Sequence, residues 1–110
     1  MLAETLCFMQ FDAMEQTRIY LFDTTLRDGA QTAGVDFSVS DKTAIARALD
    51  DFGLDYIEGG WPGANPTDDQ FFGQKPEIRN STFTAFGMTK KAGHSAANDP
   101  SLSAVINSGA

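Results

Sequence analysis

The sequence has few of the residues on which extracellular scaffolds and histidine-based sites depend. It contains one cysteine, Cys7, and one histidine, His94, among 110 residues. A lone cysteine excludes an internal disulfide, and a lone histidine excludes a metal site that takes two histidines from these residues. We therefore expect a reducing, cytoplasmic setting.

Basic residues and long apolar segments are also scarce. Lys plus Arg number 8 against 15 Asp plus Glu, which gives a net charge of -7. A negative field repels phosphate backbones and anionic lipid surfaces, so we expect neither nucleic acid nor a membrane as a partner. Residues 1–13 contain no Lys or Arg and do not resemble a secretory signal. We expect this segment to be a disordered extension, with Met14 as the true or an alternative start.

Apolar strands alternate with amphipathic helices along the remaining chain. The continuous run Ile19 to Phe22 predicts a strand buried on both faces. Ser38 and Asp41 form a capping-box pattern ahead of a helix that ends near Gly53. The other predicted elements are strands at 54–58 and 82–86 and helices opening at Asn65 and Asp99.

This order predicts an α/β fold with parallel (β/α) units. Three units in about 90 residues extrapolate to eight in about 250, the length of a closed (β/α)8 barrel. We therefore interpret the chain as the first three units of an incomplete TIM barrel. A flavodoxin-like sheet is the alternative, although it also needs about five strands and helices on both faces.

The polar residues after the first strand form the strongest candidate site, because working loops follow the carboxyl ends of parallel strands. Asp23, Arg27, Asp28 and Gln31 lie within nine residues. Carboxylate oxygens suit a hard divalent cation such as Mg or Mn. The planar Arg fork suits a carboxylate or a developing enolate or alkoxide oxygen. An exposed Arg–Asp pair without function is the alternative reading.

Other residues near the strand ends have two possible interpretations, one structural and one functional. Glu58 ends the second strand, where it either holds the shape of the site or touches a ligand. Lys90 and Lys91 form either a solvated basic pair or a contact for an anionic cofactor such as coenzyme A. We expect His94 to be a surface histidine. The glycines of GGWPG lack the spacing of a phosphate-binding loop and indicate turns.

The string DTTLRDGAQ resembles the first-strand motif of the metal-dependent acyl-CoA condensing and cleaving barrels. This family comprises the isopropylmalate, homocitrate and citramalate synthases and hydroxymethylglutaryl-CoA lyase. DYIEGGWPGANPTDDQFF and TAFGMTKKAG are most similar to the citramalate synthase branch. The resemblance runs from Ile19 to Gly109, and it identifies residues 14–110 as the amino-terminal part of an acyltransferase catalytic barrel.

The resemblance implies a Claisen-type condensation of acetyl-CoA with pyruvate, giving citramalate for isoleucine synthesis and free coenzyme A. Arg27 would then bind and polarise the keto-acid carbonyl, and Asp28 would be a metal ligand. Gln31 would lie near the substrate, while Asp23 and Glu58 would help to shape the site. The metal would be Mg or Mn, with Zn as an alternative. We expect the full-length protein to be a homodimer.

The sequence departs from the family pattern in one large respect. The His-x-His metal ligands and the later acid and base residues of the family do not occur in these 110 residues. We therefore expect the chain alone to be inactive. The alternatives are a synthase for another keto acid, a hydroxyacyl-CoA lyase, or a truncated remnant that only binds a partner.

Overall fold

A computed structural model describes residues 17–110, so the expected extension at 1–13 and the start at Met14 lie outside the described residues. Three short strands alternate with three helices in the order that the sequence predicts. The elements are β1 (Phe22–Asp23), α1 (Val39–Phe52), β2 (Tyr56–Glu58), α2 (Pro66–Gly73), β3 (Thr82–Thr84) and α3 (Pro100–Ile106). Two single 3-10 turns, at Gly29–Gln31 and Ala96–Asn98, lie in the loops after β1 and β3.

The strands form one parallel sheet in the order β1-β2-β3. Phe22 of β1 is paired with Tyr56 of β2, which is paired in turn with Thr82 of β3. Parallel neighbours joined by helices are the (β/α) arrangement expected from the sequence, and they place all three strand ends at one edge. The prediction of a parallel α/β fold is confirmed.

The helices begin where the sequence predicts. The Ser38 hydroxyl accepts a hydrogen bond from the Asp41 amide at 3.1 Å, and the Asp41 carboxylate accepts one from the Ser38 amide at 2.9 Å. This reciprocal capping box starts α1, which ends at Gly53 with φ at 89°. The side chains of Asn65 and Asp99 cap α2 and α3 by accepting backbone amide hydrogen bonds, and each cap is followed by a proline.

The core lies between the sheet and the first two helices. Its buried apolar residues are Leu26, Ala46, Ile57, Phe71 and Phe72. Leu26 belongs to the loop after β1, so burial of this side chain anchors that loop against the sheet. In residues 17–110, no helix is long and apolar enough to cross a bilayer.

The expectation that the first strand is buried on both faces is wrong for the described residues. Ile19, Tyr20, Leu21 and Phe22 are 80, 58, 53 and 51% exposed. The reason is that, among residues 17–110, β1 pairs only with β2, and the first two helices share one core on one face of the sheet. Tyr20 and Phe22 instead lie beside Tyr56, at ring-centroid distances of 6.4 and 5.9 Å.

Candidate functional site

The loop after β1 folds back so that Arg27 returns to the end of the sheet. The Thr24 carbonyl accepts hydrogen bonds from the amides of Arg27, Asp28 and Gly29 at 3.2, 2.8 and 3.2 Å. Three amides on one carbonyl close a tight turn, and the buried Leu26 side chain holds this turn in the core. Arg27 therefore lies in a loop that is fixed by backbone hydrogen bonds and by burial of the neighbouring Leu26 side chain.

The Arg27 guanidinium is held by residues from both other strand ends. Its Nε donates to the Glu58 carboxylate at the end of β2. Its Cζ lies 4.2 Å from the ring centroid of Phe86, which follows β3. The Arg27 side chain keeps 21% of its surface exposed, whereas the Glu58 side chain keeps 10%. Two neighbours of different chemistry thus fix the plane of the guanidinium while one side remains accessible.

Asp28 lies next to this group but is open to solvent. One carboxylate oxygen is 3.8 Å from Arg27 Nη1, and 62% of the Asp28 side chain is exposed. An exposed carboxylate is a chemically suitable ligand for a hard divalent cation. Within the described residues, however, no group of three or more His, Cys, Asp or Glu side chains could hold a metal. Asp28 therefore fits as one ligand of a set that these residues do not complete.

Asp23 and Gln31, also predicted from the sequence, occupy different positions. The Asp23 carboxylate accepts hydrogen bonds from the Thr25 amide at 2.9 Å and the Thr25 hydroxyl at 3.0 Å. These bonds shape the start of the loop that carries Arg27. Gln31 lines a cavity of about 330 Å³ together with Arg27 and Trp61, between the loops after β1 and β2.

Several residues of the site were not identified from the sequence. Phe86 stacks on Arg27, and Trp61 meets Phe86 edge-on with ring centroids 5.1 Å apart. Lys42 and Asp68 form a buried ion pair beside the same cavity. One sequence signal could have identified Lys42, because it lies on the apolar stripe of α1, four residues before Ala46.

The loop after β3 is fixed by Asp99 rather than by its lysines. The Lys91 and Leu102 amides donate to the buried Asp99 carboxylate, and these hydrogen bonds hold its pKa below the ordinary value. Lys90, Lys91 and His94 are exposed, which confirms the expectation of a surface histidine.

The turn interpretation of GGWPG is also confirmed. Gly60 and Gly63 have φ values of 145° and 87°. A side chain is strained at such positive φ values, so glycine is the residue that this turn requires.

The fold and the site agree with comparisons to known proteins. The sequence pattern of the HMGL-like family, whose members are TIM barrels, matches residues 18–91. The chain is 53% identical over 94 residues to the (R)-citramalate synthase of Streptomyces coelicolor, covering 83% of this chain and 18% of that protein. The corresponding enzyme of Aquifex aeolicus is 50% identical over 91 residues, covering 81% of this chain and 17% of that protein.

Relatives with another name match over a shorter region. The 2-isopropylmalate synthase of Pelotomaculum thermopropionicum is 53% identical over 51 residues, covering 46% of this chain and 10% of that protein. The chain thus spans about one sixth of the length of the citramalate synthases that it matches. The family match covers the first, second and third strands and the loops that carry the candidate site. The chain therefore belongs to the HMGL-like family.

Proposed function

We propose that the polypeptide containing this chain is an (R)-citramalate synthase of the cytoplasm that condenses acetyl-CoA with pyruvate for isoleucine synthesis. Residues 14–110 would form the amino-terminal part of its catalytic barrel. The two (R)-citramalate synthases described above match 83 and 81% of the chain, whereas the isopropylmalate synthase match covers 46%. This difference in coverage supports the assignment to the citramalate branch.

The geometry of Arg27 is the observation that carries the site assignment. Nε is bonded to Glu58, while in the described part of the chain neither Nη group donates a hydrogen bond. These donors lie on a guanidinium that is partly exposed and that contacts the Phe86 ring. A preorganised fork of this kind suits the carbonyl and carboxylate oxygens of a keto acid. We assign Arg27 to keto-acid binding and Gln31 to the lining of the same pocket.

Glu58 and Asp23 are proposed to shape the site. Glu58 keeps the guanidinium in place, and Asp23 holds the turn at Thr25. Asp28 is proposed as a ligand of a divalent cation, Mg or Mn with Zn as the alternative, because its carboxylate is exposed beside Arg27. When bound, such a cation supplies Lewis-acid polarisation of the keto-acid carbonyl.

The proposed reaction forms one carbon–carbon bond and breaks one thioester. A base removes a methyl proton from acetyl-CoA, and the resulting enolate carbon attacks the ketone carbon of pyruvate. The ketone oxygen takes the electron pair as an alkoxide, which Arg27 stabilises by hydrogen bonding before it is protonated. Water then hydrolyses the thioester and releases citramalate and coenzyme A. We expect the base and the remaining metal ligands to come from other strands of the barrel, and the complete polypeptide to form a homodimer.

The test is product formation by the complete polypeptide in which this chain occurs. We expect citramalate from pyruvate and acetyl-CoA in the presence of Mg or Mn, and no product after treatment with a chelator. The chain of 110 residues assayed alone serves as the control, and we expect no turnover from it. Turnover with a larger keto acid but not with pyruvate would contradict the assignment to the citramalate branch.

An isopropylmalate synthase is the second candidate, because 51 residues of the chain are 53% identical to such an enzyme. A panel of keto acids distinguishes the two candidates directly. Citramalate synthase should prefer pyruvate, whereas an isopropylmalate synthase should prefer a branched keto acid. Cleavage of a hydroxyacyl-CoA without condensation would instead indicate a lyase.

A further inference from the structure

A buried ion pair lies in the lining of the candidate site's cavity. Lys42 of α1 is 2% exposed and Asp68 of α2 is 6% exposed, and the Lys42 ammonium donates to the Asp68 carboxylate. Lys42 Nζ also donates to the Gly59 carbonyl at 3.0 Å. Burying two charges costs free energy that their attraction often does not repay, so a buried pair alone is weak grounds for a stabilising role. The arrangement of the groups around the pair indicates another role.

The pair holds the backbone that follows β2 on both sides. Asp68 accepts a hydrogen bond from the Trp61 amide at 2.9 Å, while Lys42 binds the Gly59 carbonyl. Gly60 passes directly over the carboxylate, because a Cβ at this position would lie 2.6 Å from Asp68 Oδ2. Residues 59–61 are therefore held against the ion pair by these contacts.

Both residues that hold Arg27 are connected to this segment, Glu58 through the chain and Phe86 through a backbone hydrogen bond. Glu58 immediately precedes Gly59 and binds Arg27 Nε. The Phe86 amide donates to the Gly60 carbonyl at 2.8 Å, and the Phe86 ring covers the guanidinium. A shift of the segment would therefore move the carboxylate and the aromatic ring that orient Arg27.

We propose that Lys42 and Asp68 are a positioning pair, which orients Arg27 by fixing the 59–61 segment between Glu58 and Phe86. The proposal rests on the proposed function, in which Arg27 binds the keto acid. Neither residue of the pair is a catalytic residue, because both act through the backbone at the end of β2. Loss of the pair should therefore affect binding of the keto acid more than binding of acetyl-CoA.

The experiment compares Lys42→Met, Asp68→Leu and the double variant in the complete polypeptide, because neither Met nor Leu can replace the hydrogen bonds to Gly59 and Trp61. Each single variant leaves one polar group of a buried pair without its partner, so it should lower stability as well as activity. The double variant removes both charges and should recover most of the stability. We expect its KM for pyruvate to remain raised on the order of 10- to 100-fold, with the KM for acetyl-CoA changed by less than about twofold.

Arg79→Met is the matched control, because it also replaces a cation of an ion pair. The Arg79 and Glu77 side chains are 74 and 67% exposed, so we expect no change in stability or in either KM. Recovery of both stability and pyruvate KM in the double variant would overturn the proposal. A parallel rise in both KM values would do so too, since it would indicate general loss of the folded site.

A crystal structure of the double variant tests the same proposal without an assay. We expect the Arg27 contact with Glu58 and the stacking on Phe86 to be lost or displaced. Retention of both contacts would overturn the positioning role. If the wild-type polypeptide does not turn over pyruvate, the proposed function fails, and this structural comparison still decides whether the pair orients Arg27.

Discussion

The proposed role of Arg27 requires the shape of its side chain as well as its charge. Arg27 binds Glu58 through Nε, and its Cζ lies over the Phe86 ring. Arg27→Lys keeps the charge but replaces the planar fork with a point charge that cannot make both contacts. We expect kcat/KM with pyruvate to fall on the order of 100- to 1000-fold in steady-state assays. Arg79→Lys, at an exposed ion pair, should leave kcat/KM unchanged, and an equal effect of the two substitutions would contradict the assignment.

Asp50 is a second residue whose role is structural and testable by pH. Burial raises its pKa, but hydrogen bonds from the Arg79, Asn80 and Ser81 amides outweigh burial and hold the pKa below the ordinary value. The carboxylate thereby ties the end of α1 to the start of β3. We expect Asp50→Asn to lower the free energy of unfolding at pH 7 by about 1–3 kcal/mol.

The sign of the pH dependence follows from the lowered pKa of Asp50. The stabilisation is fully present above the unfolded-state pKa of about 3.9 and is lost as the pH falls through the lower folded-state pKa. Urea unfolding should therefore show a constant difference between wild type and Asp50→Asn from about pH 7 to 5, which shrinks below about pH 4. A difference that persists unchanged at the lowest pH would contradict this account.

The sequence predicted the candidate residues of the loop after β1 and Glu58 at the end of β2, but not the other residues that tertiary packing brings beside them. Arg27, Asp28 and Gln31 follow one strand, so their spacing alone predicted a shared location. Phe86 and Asp68 come from distant segments, and nothing local distinguishes them from core and helix-surface residues. Their neighbours become known only when β2 and β3 are paired and α2 is packed beside α1.

At the scale of elements, local chemistry determines where helices begin, whereas strand limits depend on neighbours. Ser38, Asn65 and Asp99 were predicted as caps and are observed as caps. The first strand was predicted over an apolar run but is paired only at Phe22–Asp23. A helix cap finds its hydrogen-bond partner within four residues along the sequence, whereas a strand forms only where a neighbouring strand supplies hydrogen bonds.

The glycine that ends α1 and a glycine in the turn after β2 have different surroundings. Gly53 and Gly60 both have positive φ, but a Cβ at Gly53 meets open space, whereas one at Gly60 meets the Asp68 carboxylate. Gly53→Ala should cost about 1 kcal/mol of unfolding free energy from backbone strain. Gly60→Ala should cost about 1–3 kcal/mol more, because the carboxylate must move. Urea unfolding measures both changes in unfolding free energy. Equal changes would contradict this prediction, because they would show that the Asp68 carboxylate moves without cost.

At the scale of the whole molecule, the described sheet has an apolar strand at its edge. Residues 19–22 are at least half exposed, and within residues 17–110 β1 is paired on one side only. In a closed barrel every strand is paired on both sides, so this edge would be covered by another strand. An exposed apolar edge favours association with other chains.

We therefore expect the isolated chain of 110 residues to self-associate, giving a mass above 11.9 kDa by light scattering after size exclusion. Leu21→Lys places a charge on the exposed edge and should reduce association. Phe52→Lys makes the same change in charge at a residue that is 81% exposed on α1, and it should have a smaller effect. A monodisperse species of 11.9 kDa with a cooperative melt would contradict this expectation and favour an independent partner-binding module. The same edge should be protected from association in the complete polypeptide, because there the barrel supplies the second partner of β1.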